Sequence, residues 1–483
     1  MAASAAGPES MTVAWEQWQW WLLEALSLAG LAAAWHALLH KRDPRAAFAW
    51  MLVTLALPFL GVLLYLLFGI NRAQRRARRL RVRPQSPWVQ PPASLSGEDR
   101  DAIGPLADLA RAGAAVTGAR LWPGNALETF HNGDQVYPAM LAAIRSAATA
   151  IDLATYIFEN NGLGREVADA LIDAQSRGVR VRVLIDGMGE WYSHGIGRRL
   201  RRGGVEVRRF NPLRLLPLNL NLNLRNHRKL LLVDGRIAFT GGINIGDRHL
   251  LDPPRIRHPV ADLHFALRGP VLADLHAAFV DSWTQAGGDD AVVPVNGAPL
   301  GDSRCRVIAD GPDEHIDQLA LVLQTATAAA RSSLRLMTPY FLPSRELIAG
   351  LQSAALRGIA VTVLLPGRSN LPYVHWATQH LLADLLQRGV QVCYQPPPFH
   401  HGKLLIVDDA YVLLGSANID PRSLRLNYEL GVEVFDAAFA RDLAGWFDGR
   451  VAESASLSLA ALAARSLAVR TRDALCWLAS PYL

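Results

Sequence analysis

Two stretches decide the fold: HRKLLLVD at residues 227–234 and HGKLLIVD at 401–408, identical at six of eight positions and 174 residues apart. The register continues without a gap, pairing Gly241 with Gly415, Asn244 with Asn418, Ile245 with Ile419 and Arg248 with Arg422. Upstream, RGVRVRVLID at 177–186 resembles RGIAVTVLLP at 357–366, and GGVEVRRF at 203–210 resembles RGVQVCYQ at 388–395. Each copy alternates helix-like and strand-like segments. VYPAMLAAIRSAATA precedes the strand IDLATYIF, GREVADALIDAQSRG leads into VRVRVLID, and KLLLVD and IAFTGG read as two more strands. Helices alternating with strands imply an α/β fold with a mixed sheet, built twice. The copies are placed at 125–295 and 300–450, followed by a helical tail at 451–483.

The N-terminal part has a different character. Residues 18–39 and 47–70 are apolar, and the second run carries no charge over 24 residues. At 1.5 Å per residue that run reaches about 36 Å, enough to cross roughly 30 Å of hydrocarbon. Two transmembrane helices are therefore expected after a short tail at 1–17, with Pro58 and Gly61 able to kink the second or to make it a re-entrant hairpin. Trp15, Trp18, Trp20 and Trp21 suit an interfacial aromatic belt. The net charge of +6 lies entirely in residues 1–83, which hold ten cations and four anions. Seven arginines follow the second run within 13 residues, which favours two spans with both ends in the cytoplasm. Residues 71–124 read as a basic juxtamembrane segment and linker. The rest of the chain is charge-balanced, which argues against nucleic acid as a partner. Cys305, Cys393 and Cys476 lie too far apart for a disulfide scaffold or a Cys-rich zinc module.

Each repeat offers a histidine, a lysine two residues later and an asparagine 17 residues after the histidine. Residues i and i+2 of a strand share a face, so His227 with Lys229 and His401 with Lys403 are expected to point the same way. If the halves pack about a pseudo-twofold axis, both sets meet in one pocket. Lysine and amide groups there would hold phosphate oxygens, while one imidazole attacks phosphorus and the other protonates the leaving oxygen. Only three of the 49 cationic residues are lysine, and two of these occupy the matching motif positions. Ammonium groups beside the imidazoles disfavour a bound metal, no HExxH or Cys/His spacing is present, and no cofactor is expected.

With HxKxxxxD present twice, each copy followed by Gly-Gly or Gly-Ser, one residue and Asn, the chain resembles the phospholipase D superfamily over roughly 125–450. It resembles more narrowly the bacterial cardiolipin synthases, through the N-terminal apolar runs, YIFENNGLG at 156–164, RNHRKLLLVDGRIAFTGGINIGD at 225–247, TPYFLP at 338–343, GSANIDPRSLRLNYE at 415–429 and the terminal SPYL. The resemblance implies an α/β pair of phospholipase D-like repeats. It also implies a metal-free transfer through a phosphohistidine, in which one phosphatidylglycerol gives its phosphatidyl group to another and glycerol leaves. By that analogy His227 is the nucleophile and His401 the general acid and base, although the symmetry allows the reverse. Lys229, Asp234, Lys403 and Asp408 complete the catalytic motifs, with the two aspartates better suited to bracing a turn. Asn244 and Asn418 bind substrate. An acidic residue orients each imidazole, with Asp262 assigned to the first half and Glu429 to the second.

The resemblance further implies a multi-pass protein of the bacterial inner membrane with a cytoplasmic catalytic region, acting among anionic lipids; its oligomeric state stays open. Gly402, HPVAD before Asp262 and PGRSN at 366–370 depart from the family pattern and leave acceptor preference open. Competing readings are a hydrolase or transferase using water or another alcohol, a nuclease, and an inactive membrane scaffold. Leu213, Leu215 and Leu216, upstream of His227, are expected to form a membrane-facing lip.

Overall fold

A computed structural model describes residues 8–41, 43–69, 95–193, 195–212, 223–252, 256, 258–295, 297–313 and 315–480. The basic stretch 71–83, Leu213, Leu215, Leu216 and the terminal Pro-Tyr-Leu lie outside the described residues. The chain divides into two compact units, Met1–Arg76 and Ala77–Leu483.

In the first unit, α1 (Pro8–His40) contains one segment, Trp18–His40, long and apolar enough to cross a membrane. Trp18, Trp20, Trp21, Leu28 and Leu31 are exposed along it. The second apolar run departs from the expected single helix. It forms α2 (Pro44–Ala56), then α3 (Pro58–Leu64), then a π-helical turn at Tyr65–Gly69. Pro58 is the cause: it has no N–H to donate, and its ring excludes the carbonyl four residues back. Leu57 accordingly leaves helical geometry at φ −129°. At the start of α2, Asp43 accepts a hydrogen bond from the Arg45 N–H (2.8 Å), and Pro44 takes the first helical position. A Cβ on Gly30 of α1 would lie 2.8 Å from the Thr54 carbonyl oxygen, so glycine lets α1 and α2 approach backbone to backbone.

The second unit is organised by one mixed sheet. The first half contributes β1 (Trp122–His131), β2 (Ala150–Thr155), β3 (Arg180–Asp186), β4 (Glu206–Phe210), β5 (Leu230–Val233), β6 (Ile237–Gly241), β7 (Val260–Ala261) and β8 (Leu263–Arg268). The second contributes β9 (Ser303–Asp310), β10 (Ser333–Met337), β11 (Ala360–Pro366), β12 (Gln391–Gln395), β13 (Phe399–His400), β14 (Leu404–Val407), β15 (Tyr411–Gly415), β16 (Glu429–Phe435) and β17 (Ala455–Ser456). Among the described residues, fifteen of these strands form the mixed sheet in the order β17-β12-β11-β10-β14-β15-β16-β9-β1-β8-β6-β5-β2-β3-β4, and β7 and β13 form a separate parallel pair. Outward from the central β9–β1 pair the two halves follow the same plan. Three antiparallel strands give way to three parallel ones, β2-β3-β4 on one side and β10-β11-β12 on the other. Helices cover the sheet and enclose two apolar clusters, one per half.

Two expected boundaries change. Residues 97–117 are not linker: helices Gly97–Ile103 and Ala107–Thr117 bury Leu106, Leu109 and Ala110 in the core of the second half. Ala110 also accepts a hydrogen bond from the buried Arg306 (2.6 Å). The tail after residue 452 is not one helix. It adds β17 to the sheet edge beside β12 and then forms helices Leu459–Ala463 and Leu467–Leu478.

The motif aspartates are placed away from the histidines. Asp234 and Asp408 follow the far ends of β5 and β14, both with positive φ, a conformation that Asp tolerates better than most residues. Asp234 accepts from the N–H groups of Ala148, Thr149 and Ala150 and from the Thr149 hydroxyl, at 2.7–2.9 Å. Asp408 does the same for Arg331, Ser332 and Ser333, at 2.7–3.1 Å. Counted among the catalytic motif residues but expected to brace a turn, they take the second role: each ties its turn to the start of the neighbouring strand. Asp234→Ala or Asp408→Ala should lower the unfolding free energy by about 1–3 kcal/mol, the cost of stranding charged-acceptor hydrogen bonds. Denaturant titration of the full chain checks this, with turnover per folded molecule retained; a folded but inactive variant would return the residue to the chemistry.

Candidate active site

Each histidine segment leads into a strand of its own half and pairs with a segment of the other half, away from the β9–β1 seam. His227–Lys229 and His401–Lys403 are extended segments entering β5 and β14, not parts of those strands. Asn226 forms a parallel bridge with Tyr428; the His227 N–H donates to the Tyr428 carbonyl (2.9 Å), and the Tyr428 N–H to the Arg225 carbonyl (2.8 Å). In the other direction β13 pairs in parallel with β7, matching His400 with Ala261, and the His401 N–H donates to the Ala261 carbonyl (2.7 Å).

This pairing fixes which carboxylate meets which imidazole. Glu429 follows Tyr428, and Asp262 follows Ala261. His227 Nδ1 is 3.0 Å from Glu429 Oε2, and His401 Nδ1 is 2.8 Å from Asp262 Oδ2. The assignment of Asp262 to the first-half histidine and Glu429 to the second is thus corrected: the pairs are crossed, each imidazole taking its carboxylate from the other half. A Nδ1–H donated to a carboxylate leaves Nε2 with its lone pair, the tautomer a nucleophile or base requires.

The carboxylates are held in turn. The Ser416 hydroxyl donates to Glu429 (2.6 Å), and the Leu263 N–H donates to Asp262 (2.8 Å). Position 242, which aligns with Ser416, is glycine because a Cβ there would lie 2.2 Å from Asp262 Oδ1. Burial alone would raise both acids. The charges of Lys403 and His401 outweigh it at Asp262, which is held well below the usual carboxylate range, and those of His227 and Lys229 do so at Glu429, also lowered.

Burial pushes His227 down against the pull of Glu429, and burial with Lys403 pushes His401 down to about 3, so both imidazoles are neutral at neutral pH. The lysines are lowered mainly by burial too, Lys229 to about 7 and Lys403 to about 8. Lys403 lowers Lys229 and acts on His227, while Lys229 acts on His401, so the four groups share one electrostatic environment. Lys229 Nζ donates to the His227 carbonyl (2.8 Å) and stands 5.6 Å from the Tyr156 ring centre. Lys403 Nζ lies 2.8 and 3.0 Å from the His401 ring nitrogens and donates to that residue's carbonyl.

Asn244 and Asn418 are both buried. Asn244 accepts from the Ile157 N–H (3.2 Å), and the Asn418 Oδ1 has no partner among the described residues. Tyr156 packs edge-on against His227 at 5.2 Å between ring centres, and Tyr340 against His401 at 6.3 Å.

Several supporting residues escape sequence reasoning. Asp186, at the end of β3, accepts from the Asn226 N–H (2.8 Å) and Arg225 (3.2 Å), fixing the approach to His227. Arg228 is fully buried and donates to the carbonyls of Glu429 (3.0 Å) and Ala278 (3.0 Å) and to the Ser282 hydroxyl (2.9 Å), clamping the strand that carries Glu429. Arg228 was signalled only by its place inside the motif, in NHRK, and Asp186 only by ending the repeated strand VLID, 41 residues before His227.

The arrangement provides two neutral imidazoles, each held at Nδ1 by a carboxylate and with Lys403 Nζ also 3.0 Å from His401 Nε2, and two ammoniums that lose their protons near neutrality. Affinity for a phosphodiester anion should therefore weaken as pH rises through about 7 to 8, where Lys229 and Lys403 become neutral. The pH dependence of KM for a short-chain phosphodiester checks this. Lys229→Arg and Lys403→Arg should flatten that profile, and the changed donor geometry should cost about a hundredfold in kcat/KM, the order expected for a displacement of about 1 Å.

A family model described as "Cardiolipin synthase, PLD-like domain" matches residues 140–252 and 323–451, and one described as "Phospholipase_D-nuclease N-terminal" matches 29–69. The major cardiolipin synthase of Bacillus subtilis is 31% identical over 476 residues, covering 92% of this chain and 95% of its own length. Cardiolipin synthase A of Pseudomonas aeruginosa is 32% identical over 448 residues, covering 90% of each chain. Among solved structures, a phosphatidylserine synthase of Haemophilus influenzae shares the fold with a TM-score of 0.61 at 14% identity, covering 78% of this chain and all of the other.

Proposed function

Because the chain belongs to the phospholipase D-like family of cardiolipin synthases, we propose that it transfers a phosphatidyl group from one phosphatidylglycerol to a second, giving cardiolipin and glycerol. The observation that carries the reading is the crossed pairing: two carboxylate-held imidazoles with two lysines beside them, the set needed to pass a phosphoryl group through a histidine.

In the first step His227 Nε2 attacks phosphorus, the bond from phosphorus to the glycerol oxygen breaks, and His401 gives that oxygen its proton. His401 is neutral before substrate enters, so this role requires it to take up a proton from solvent at Nε2 as the phosphodiester anion binds, which that anion and the Asp262 carboxylate both favour. In the second step His401 takes the proton from a hydroxyl of the second phosphatidylglycerol, whose oxygen attacks phosphorus. The P–N bond breaks and His227 is restored. Lys229 and Lys403, with Asn244 and Asn418, hold the non-bridging oxygens as charge builds on them. No metal enters these steps. The choice of His227 as nucleophile follows the family resemblance.

We read the two halves as related by a pseudo-twofold axis through the β9–β1 pair, in keeping with the matched strand order. We also read the first unit as the membrane anchor. On this reading α1 spans the membrane, α2 with α3 forms a broken second pass, and the basic stretch after it places the catalytic unit on the cytoplasmic side of the bacterial inner membrane.

Full-length protein in phosphatidylglycerol bilayers should produce cardiolipin and glycerol in equal amounts. Phosphatidic acid as the main product would make it a hydrolase instead. His227→Ala and His401→Ala should each lower transfer by at least about 10³-fold while the chain stays folded, as removal of a nucleophile or its acid–base partner does. Full activity in either variant would overturn the two-histidine route. In His401→Ala the phosphatidyl label should remain on His227; label on another residue would reverse the roles.

A further inference from the structure

Among the described residues of the second unit, three aromatic side chains are exposed: Trp191 (70%), Tyr192 (54%) and Tyr373 (42%). All three lie on equivalent connections. Trp191 and Tyr192 are on the short helix Gly189–Ser193 after β3, and Tyr373 begins the helix Pro372–Leu386 after β11. The first connection leaves the sheet where His227 enters, since Asp186 at the tip of β3 holds the Asn226 N–H, and the second lies beside Tyr340, which packs on His401.

Each connection rests on a tyrosine that lines the site. A Cβ on Gly189 would lie 1.5 Å from the Tyr156 carbonyl oxygen, and the Phe158 N–H donates to the Ser193 hydroxyl (3.3 Å), so the first aromatic pair stands on the backbone beside Tyr156. The Tyr340 hydroxyl donates to Asn370 (2.9 Å), just before Tyr373. The aromatics thus extend outward from the two rings that pack on His227 and His401.

The charge on these connections has one sign left over. Arg198, on the helix Ile196–Arg202 that continues the first connection, and Arg368, in the second, are exposed and have no acidic partner among the described residues, while the one carboxylate present, Glu190, is paired with Arg209 (2.6 Å). Exposed Trp and Tyr with unpaired arginine fit a headgroup layer, where the ring is amphipathic and the guanidinium meets phosphate.

We propose that the loops carrying Trp191, Tyr192, Arg198, Arg368 and Tyr373 dock the pocket mouth on an anionic phospholipid surface. This rests on the phosphatidylglycerol reading above and deepens it. A diacyl substrate reaches the histidines without leaving the bilayer only if the mouth lies against it.

The test compares two substrates with the full chain. In Trp191→Ser/Tyr192→Ser and in Arg198→Gln/Arg368→Gln, transfer from bilayer phosphatidylglycerol should fall about tenfold, as loss of interfacial anchors predicts. Transfer with monomeric dihexanoyl phosphatidylglycerol should stay unchanged. Equal losses on both substrates, or no loss on either, would overturn the proposal. A second readout does not depend on turnover. A nitroxide on W191C, with Cys476 replaced by Ser and Cys305 and Cys393 buried, should be shielded from an aqueous relaxation agent in anionic bilayers but not in detergent. Equal exposure in both, or shielding by single-stranded DNA in place of lipid, would refute membrane docking. Lack of transfer by the unaltered chain with a shielded label would instead fault the phosphatidylglycerol reading alone.

Discussion

Everything at the site depends on two short parallel pairings between the halves: Asn226 against Tyr428, and His400 against Ala261. Each brings the residue before a histidine beside the residue before a carboxylate of the other half. The imidazole–carboxylate contacts at 3.0 and 2.8 Å follow from that register. Neither half holds a complete site, because the group that fixes each imidazole tautomer is supplied by the other. This gives a physical reason for the repeats to form one sheet joined at β9 and β1.

Burial then sets the chemistry. Removing water lowers the imidazoles and the lysines together, while the same lysines keep Asp262 and Glu429 ionised. The pocket is balanced between two positive and two negative side chains at the lower end of neutral pH. A phosphodiester anion entering it tips that balance, drawing protons onto the lysines and favouring an imidazolium. In the proposed transfer, the charge that a metal ion would bring to phosphorus is supplied by Lys229 and Lys403.

Much of this was legible in the sequence. Two copies of HxKxxxxD in register exposed the duplication, the mixed α/β fold and the residues of the pocket, and the long apolar run before residue 40 exposed α1. What was not legible depended on contacts between segments distant in the chain. The crossing of Asp262 and Glu429 is invisible to a reading that treats each repeat as a closed unit. The turn-bracing role of Asp234 and Asp408 was legible, but the backbone N–H groups they hold, those of 148–150 and 331–333, were not. Pro58 was seen as a kink point, yet it ends α2 outright. The helices at 97–117 were hidden behind a Pro- and Ser-rich stretch; only the buried face of Leu106, Leu109 and Ala110 shows that they belong to the second half's core.

The crossed pairing is tested most directly by nitrogen-15 NMR of the full chain labelled at histidine, with the two site imidazoles identified by their loss in His227→Gln and His401→Gln. Nδ1 and Nε2 shifts report the tautomer and protonation of each ring. Glu429→Gln should change the His227 pattern and leave His401 in place, and Asp262→Asn should change His401 and leave His227. A change confined to the histidine of the same half, Glu429→Gln acting on His401 or Asp262→Asn on His227, would contradict the account.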